Sequence, residues 1–224
     1  MKTVIAIDSF KGSMTSMEAG NAAAAGVKAV FPDAEIVVRP LADGGEGTVE
    51  ALTTGMGGRM ETALVSDPLG RKISASYGIL EKYKTAVIEM AAAAGLPLLS
   101  KEERNPLHTT TYGVGELIRD AIQKGCRHFI VGIGGSATND GGVGMLSALG
   151  FEFLDKSGQP VRNGAAGLAD LAEIRSGHVL PVLKECTFRV ACDVENSLCG
   201  ELGCSSVFGP QKGADKKSIR QMDQ

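Results

Sequence analysis

The chain has 224 residues, with 23 Lys plus Arg against 26 Asp plus Glu, a net charge of −3 and 43% hydrophobic residues. That length allows one large domain or two modest ones and excludes a disulfide-stapled miniprotein. With 7 Phe, 3 Tyr, no Trp and no basic stripe, the composition argues against nucleic-acid binding. Glycine is the outlier: 30 of 224 residues is about 13%, against a usual figure near 7%. With 8 prolines and no collagen-like period, these glycines read as tight turns where backbone approaches a ligand. The uncharged stretches are too short to span a bilayer, and Asp8 follows the apolar run Val4-Ile5-Ala6-Ile7 too soon for a signal peptide, so a cytoplasmic protein without membrane partners is expected. Cys126, Cys186, Cys192, Cys199 and Cys204 form no C-x-x-C pair and read as reduced, mostly buried small hydrophobes.

Val4 to Ile7 reads as a buried parallel strand. After the loop Asp8 to Met14, Thr15-Ser16-Met17-Glu18 fits a capping box that opens an Ala-rich helix running to Phe31-Pro32. The order then repeats: a strand at Glu35 to Val38, a Gly-rich loop from Leu41 to Gly47, and a helix over Thr48 to Thr54. Two strand-loop-helix units in succession predict an α/β fold. From Met60 to Met90 the texture changes. Thr62 to Val65, Ile73 to Leu80 and Ala86 to Ile88 read as strands around an Asp67-Pro68-Leu69-Gly70 turn, which predicts a mixed sheet. A helix over Tyr112 to Lys124 ends at Gly125, and Phe129 to Val131 is a further buried strand opening onto Gly132 to Gly144. A helix around Met145 to Leu149, a strand at Phe151 to Leu154 with a Lys156-Ser157-Gly158 turn, and a strand at Thr187 to Ala191 complete the pattern.

Four acids sit just beyond apolar runs: Asp8, Asp43, Asp140 and Asp193. In open α/β sheets ligands bind at the carboxyl ends of strands, so these loops are expected to converge on one crevice. Each carries glycines or small polar residues, notably Ser9, Lys11, Gly12 and Ser13, then Gly44, Gly45 and Gly47, and then Gly134, Gly135, Ser136 and Asn139. Bare backbone amides with hydroxyls suit phosphate oxygens. Carboxylates beside them repel phosphate unless a cation intervenes, so the mixture points to Mg²⁺ and phosphoryl transfer. Each aspartate taken singly is as well explained as a cap or turn residue, and a lone lysine such as Lys11 as a solvated side chain. His108, His128 and His178 have no metal-ligand spacing and read as structural or exposed.

Gly132-Ile133-Gly134-Gly135-Ser136-Ala137 also fits G-x-G-x-x-G/A after a strand, with Asp155 about where a ribose-binding acid would fall. A dinucleotide fingerprint opens directly into a helix, whereas Thr138 to Gly142 delays one here. The P-loop pattern G-x-x-x-x-G-K-[ST] is absent, so a kinase on this chain would not be a P-loop kinase.

Four stretches taken together, Asp8 to Ser13, Pro40 to Thr48, Gly134 to Gly142 and Phe208 to Ala214, closely resemble the signatures of the bacterial type I glycerate kinases, in order and across the whole chain. The resemblance implies transfer of the ATP γ-phosphoryl to D-glycerate, usually giving 2-phosphoglycerate, with Mg²⁺. It also implies a Rossmann-like three-layer domain, expected over residues 1–85, and a second, inserted α/β domain containing a mixed sheet, expected over 86–224. Ser197 stands where the family commonly has proline, and Cys204 where it has alanine. Family members continue well beyond the Phe208 to Ala214 motif, so a C-terminally truncated member is expected.

On this reading Mg²⁺ falls to a subset of Asp8, Asp43 and Asp140. Gly134, Gly135, Ser136 and Asn139 donate to phosphate oxygens, with Ser9, Ser13, Gly44, Gly45 and Asn196 as further nucleotide-binding candidates. Lys11 and Lys212 stabilise the charge that develops in transfer, and Asp193 accepts the glycerate hydroxyl proton, with metal ligation or a turn as its alternative. Arg39, Arg59 and Arg71 are equal candidates for the glycerate carboxylate. An NAD-dependent reductase of a small hydroxy acid and an inactive nucleotide-binding fragment are the competing functions. The oligomeric state is left open.

Overall fold

The computed structural model describes residues 1–8, 10, 13–41, 47–192 and 194–224. The first unit is strand β1 (Lys2–Ile7), helix α1 (Ser16–Val30), strand β2 (Glu35–Pro40) and helix α2 (Thr48–Gly55). β1 and β2 pair in parallel, from Lys2 opposite Glu35 to Ile7 opposite Pro40. The expected capping box starts α1: the Thr15 hydroxyl accepts from the Glu18 N–H at 3.2 Å, and the Glu18 carboxylate accepts from the Thr15 N–H at 2.8 Å.

Strands β3 (Arg59–Ser66), β4 (Lys72–Leu80) and β5 (Thr85–Glu89) follow, then the short helix α3 (Ala91–Ala94), helix α4 (Tyr112–Gln123) and strand β6 (His128–Gly132). Beyond them come α5 (Val143–Ala148), β7 (Glu152–Leu154), α6 (Ala165–Leu168), β8 (Glu173–Arg175), β9 (Thr187–Ala191), α7 (Cys204–Phe208) and α8 (Lys216–Met222). The main sheet has five strands in the order β3-β4-β5-β6-β9. Its β3–β4 and β4–β5 pairs are antiparallel and its β5–β6 and β6–β9 pairs parallel, so the sheet is mixed, as the change of texture after Met60 predicts. Asp67 is buried at the β3–β4 turn, where its carboxylate accepts from the Leu69 and Arg71 N–H groups and Gly70 takes φ +85°.

The core lies on one face of this sheet. Tyr77, Ile88 and Phe129 from the strands meet Val114, Leu117 and Ile118 of α4, whose apolar positions recur at helical spacing. Gly125, at φ +90°, closes α4 as expected. On the opposite face α2 lays Val49 and Leu52 against Leu80, Val87 and Ile130.

Residue 85 is the first of β5, the central strand of the five. β3 and β4 bond to β5, whereas among the described residues β1 and β2 bond to each other, so the change of sheet lies between Pro40 and Arg59. Hydrophobic runs locate strands but do not say which strands pair. Two expectations need correction. Of the five cysteines only Cys126 is buried; Cys192 and Cys199 are exposed. Several glycines mark close packing of the chain on itself and no ligand turn: a Cβ on Gly113 or Gly115 of α4 would lie 1.9 Å from the Ser66 carbonyl oxygen or 2.2 Å from that of Met145.

Because the Ser66 carbonyl is held within the β3 backbone, it cannot yield to a methyl group. Gly113→Ala is expected to destabilise the fold by about 1–3 kcal/mol, the scale of overpacking, read as a lower urea midpoint with an unchanged slope.

Candidate active site

β6 delivers its chain into a loop, 133–142, that is pinned on two sides. On one side Ala137 N–H donates to the Ala94 carbonyl (2.8 Å), and Gly135 O accepts from Leu96 N–H (2.9 Å). On the other, the buried Thr109 hydroxyl donates to the Ala137 carbonyl at 2.8 Å. Gly135, Gly141 and Gly142 take φ of +69°, +60° and +78°, a run of turns that leaves Gly135 exposed. Helix α5 begins only at Val143, so the loop does not enter a helix directly as a dinucleotide fingerprint does. Asp155, the acid that fingerprint requires, accepts from the Ser157 and Gln159 N–H groups as a turn residue.

Asp140 ends the loop and is 2% exposed. Its carboxylate accepts from the Thr111 N–H (2.8 Å) and hydroxyl (2.9 Å), from Gly142 N–H (3.0 Å) and from Gly144 N–H (3.1 Å). Thr111 is the N-cap of α4 and Gly142 the N-cap of α5, so one carboxylate fastens the starts of two helices. The lone pairs a metal would need are engaged by these donors. Lys212 is 8% exposed; its ammonium donates to the Thr138 carbonyl at 2.6 Å and the Ser136 hydroxyl at 3.0 Å. Burial pushes this amine below the ordinary lysine range, against the pull of Cys204 and Asp140. The Asn139 amide donates to Ser205 Oγ and lies 3.2 Å from Met222 Sδ. Gly134, Gly135, Ser136, Asn139 and Lys212 are thus one assembly.

Asp8, half-buried, follows the last residue of β1, and Ser13 is exposed ahead of α1. Asn196 is exposed and donates to the Leu202 carbonyl within its own loop. Ser9, Lys11, Asp43, Gly44, Gly45 and Asp193 lie outside the described residues. Among the described residues no group of three His, Cys, Asp or Glu could hold a metal. Two of the candidate arginines are committed elsewhere: Arg71 pairs with Asp67 and Glu103, and Arg59 with Glu61 and Glu81. Arg39, exposed on β2, has no acidic partner among the described residues.

A cleft of about 540 Å³ opens between the start of α1, the start of α2 and the face of β3 and β4 that carries Met60, Ser74 and Ser76. Glu89 borders it and accepts the Val49 N–H of α2 at 3.0 Å. Sequence reasoning missed Glu89, although it too is an acid directly after an apolar run, Ala86 to Ile88. The run is followed by Met90 and alanines with no glycine loop, so it did not stand out.

The sequence pattern of the glycerate kinase family matches residues 3–224. The chain is 52% identical over 223 residues to the glycerate kinase of Haemophilus influenzae, covering 100% of this chain and 59% of that protein. It is 50% identical to the glycerate 2-kinase of Escherichia coli K12, covering 58% of that protein. A solved chain described as "putative glycerate kinase 2 from Salmonella typhimurium LT2" superposes with a TM-score of 0.94 at 48% identity, covering all of this chain and 60% of that one. The α/β fold and its glycine-loop site thus define a kinase-type architecture. The chain belongs to the glycerate kinase family, and it spans about 60% of the length of the curated relatives it matches.

Asp140→Ala is expected to cost about 2–4 kcal/mol, because it strands buried donors that water cannot reach; Asp140→Asn should cost less, measured by chemical denaturation. A second outcome concerns pH. The folded Lys212 pKa is depressed, so between that value and the ordinary 10.5 the unfolded chain binds more protons, and the Lys212 contribution to stability rises with pH across that window and is flat below it. Denaturation of the wild type and Lys212→Met at alkaline pH approaching 10.5 should show stability gaining more with pH in the wild type than in the variant.

Proposed function

We propose that this chain carries the catalytic loops of an ATP-dependent glycerate kinase. A hydroxyl oxygen of D-glycerate attacks the γ-phosphorus of ATP, the bond from that phosphorus to the β,γ-bridging oxygen breaks, and ADP leaves. The hydroxyl proton passes to a carboxylate, for which Asp193, two residues after the end of β9, is the assignment. The observation that carries this reading is the Gly134–Ser136 turn, exposed at Gly135, with the buried Lys212 amine bonded to the Ser136 hydroxyl and the Thr138 carbonyl: backbone amides beside a lysine are what a phosphoryl group in transfer requires. Because the ammonium is spent on Ser136 and Thr138, Lys212 acts through the loop and its field.

Mg²⁺ in such sites takes one or two carboxylates together with substrate phosphates and needs no protein cage. Asp8 and Asp43 fit that role better than Asp140, whose oxygens are engaged by N–H and O–H donors; bound there, the ion would neutralise phosphate charge. Arg39 is the assignment for the glycerate carboxylate, since Arg59 and Arg71 are already paired. The name of the Escherichia coli relative, glycerate 2-kinase, supports 2-phosphoglycerate as product. A cytoplasmic setting, where ATP and Mg²⁺ are at hand, agrees with this reading.

The test is incubation with ATP, Mg²⁺ and D-glycerate, with the products resolved by phosphorus NMR. ADP and 2-phosphoglycerate in equal amounts are expected, and Asp193→Asn should lower turnover by about 10² to 10⁴ with nucleotide affinity retained. Oxidation of NADH by a keto acid, with no phosphoglycerate formed, would overturn it.

A further inference from the structure

The cleft beside Glu89 has a chemistry of its own. Three of the protein's exposed large apolar side chains, Phe10 (53%), Met14 (41%) and Met60 (46%), line it. Hydroxyls of Ser13, Ser74 and Ser76 stand among them, with carboxylates of Glu18, Glu50 and Glu89, and no Lys, Arg or His is among the described lining residues.

Two helix starts face this space, and both are filled by the protein's own acids. The Glu18 carboxylate closes the capping box of α1, and Glu89 takes the Val49 N–H at the start of α2. A free helix N-terminus attracts anions; one already carrying a carboxylate repels a second. The cleft therefore disfavours phosphate and glycerate alike. Its apolar, thioether and hydroxyl lining and its volume suit an uncharged, partly aromatic group bearing hydroxyls.

Resting on the kinase reading above, we infer that this cleft holds the nucleoside part of ATP: Phe10, Met14 and Met60 against the base, and the Glu50 carboxylate accepting from the ribose hydroxyls. Of the two reactants, the nucleoside is the one uncharged portion. Glu50 is exposed in the first turn of α2, while Glu18 and Glu89 are occupied with backbone N–H groups. The position agrees. α3 is a common wall, with Ala92 lining the cleft and Ala94 bonded to the Ala137 N–H of the glycine loop. A nucleotide whose base lies in the cleft would direct its phosphates toward Gly134 and Gly135.

Calorimetry with adenosine, which has no phosphate, tests the subsite alone; ATP kinetics tests it in turnover. Adenosine is expected to bind without Mg²⁺. Phe10→Ala should weaken adenosine and raise the KM for ATP about tenfold, the scale of lost base stacking, with kcat within about twofold and an unchanged thermal melt. Glu50→Gln should reduce the preference for ATP over 2′-deoxy-ATP, expected at about tenfold or more for a charge-assisted hydrogen bond. If ATP is turned over with a KM indifferent to both substitutions, the nucleoside lies elsewhere, and the inference fails while the kinase reading stands. If the substitutions raise the KM for glycerate and leave that for ATP alone, the cleft belongs to the acceptor and the inference again fails. A wild-type chain that binds neither adenosine nor ATP overturns both.

Discussion

The carboxylate of Asp140 holds the architecture at the point where the chain turns from sheet to site. Two oxygens, buried away from water, receive donors from Thr111, Gly142 and Gly144. Through Thr111 they set where α4 begins, and through Gly142 and Gly144 where α5 begins. α4 is the helix whose apolar side closes the core over Tyr77, Ile88 and Phe129. The same residue thus fixes the packing of the main sheet and the exit of the glycine loop. A carboxyl group kept this far from water is tolerable because both of its oxygens are hydrogen-bonded.

From that anchor the division of labour across the sheet follows. The α4 face is a dry core. On the opposite face α2 packs against Leu80, Val87 and Ile130; the cleft opens beside that helix, and a smaller hollow is lined by Tyr83, His128 and Arg189. α2 is held by Val49 and Leu52 packing and by the Glu89 bond to Val49 N–H. Through that bond Glu89 connects α2, the helix after β2, to the central strand of the five-stranded sheet.

Local chemistry made much of this legible in the sequence. Thr15 and Glu18 specify their own reciprocal bonds, Gly125 its left-handed cap, and the runs at Thr62, Ile73, Ala86 and Thr187 their strands, because each depends on neighbours within a few residues. Partnership at a distance was not legible. Nothing in Thr62 to Leu80 tells which later strand it pairs with, and the β4–β5 register is visible only in the structure. Rules for acids after apolar runs found Asp140 but not its task, since its partner Thr111 lies 29 residues away. The exposure of Cys192 and Cys199 depends on what covers β9 and α7, which composition cannot express. The glycine loop itself was found because amides, hydroxyls and carboxylates lie within one stretch, whereas Lys212, which completes it, comes from a motif some 70 residues on.

The close approach of α4 to its neighbours bears on how such a sequence can change over generations. At Gly113 and Gly115 the hydrogen of a glycine stands where any other side chain would meet a carbonyl oxygen, and at Gly144 a Cβ would come within 2.1 Å of the Thr110 hydroxyl. Each of these contacts includes main-chain atoms, the Ser66 and Met145 carbonyl oxygens and, for Gly144, the Tyr112 nitrogen at 2.7 Å, which cannot rotate aside as a side chain can. A side chain at any of these positions would have to move α4 away from β3 or α5. Part of the glycine excess is therefore a requirement of packing, set where no phosphate need come near.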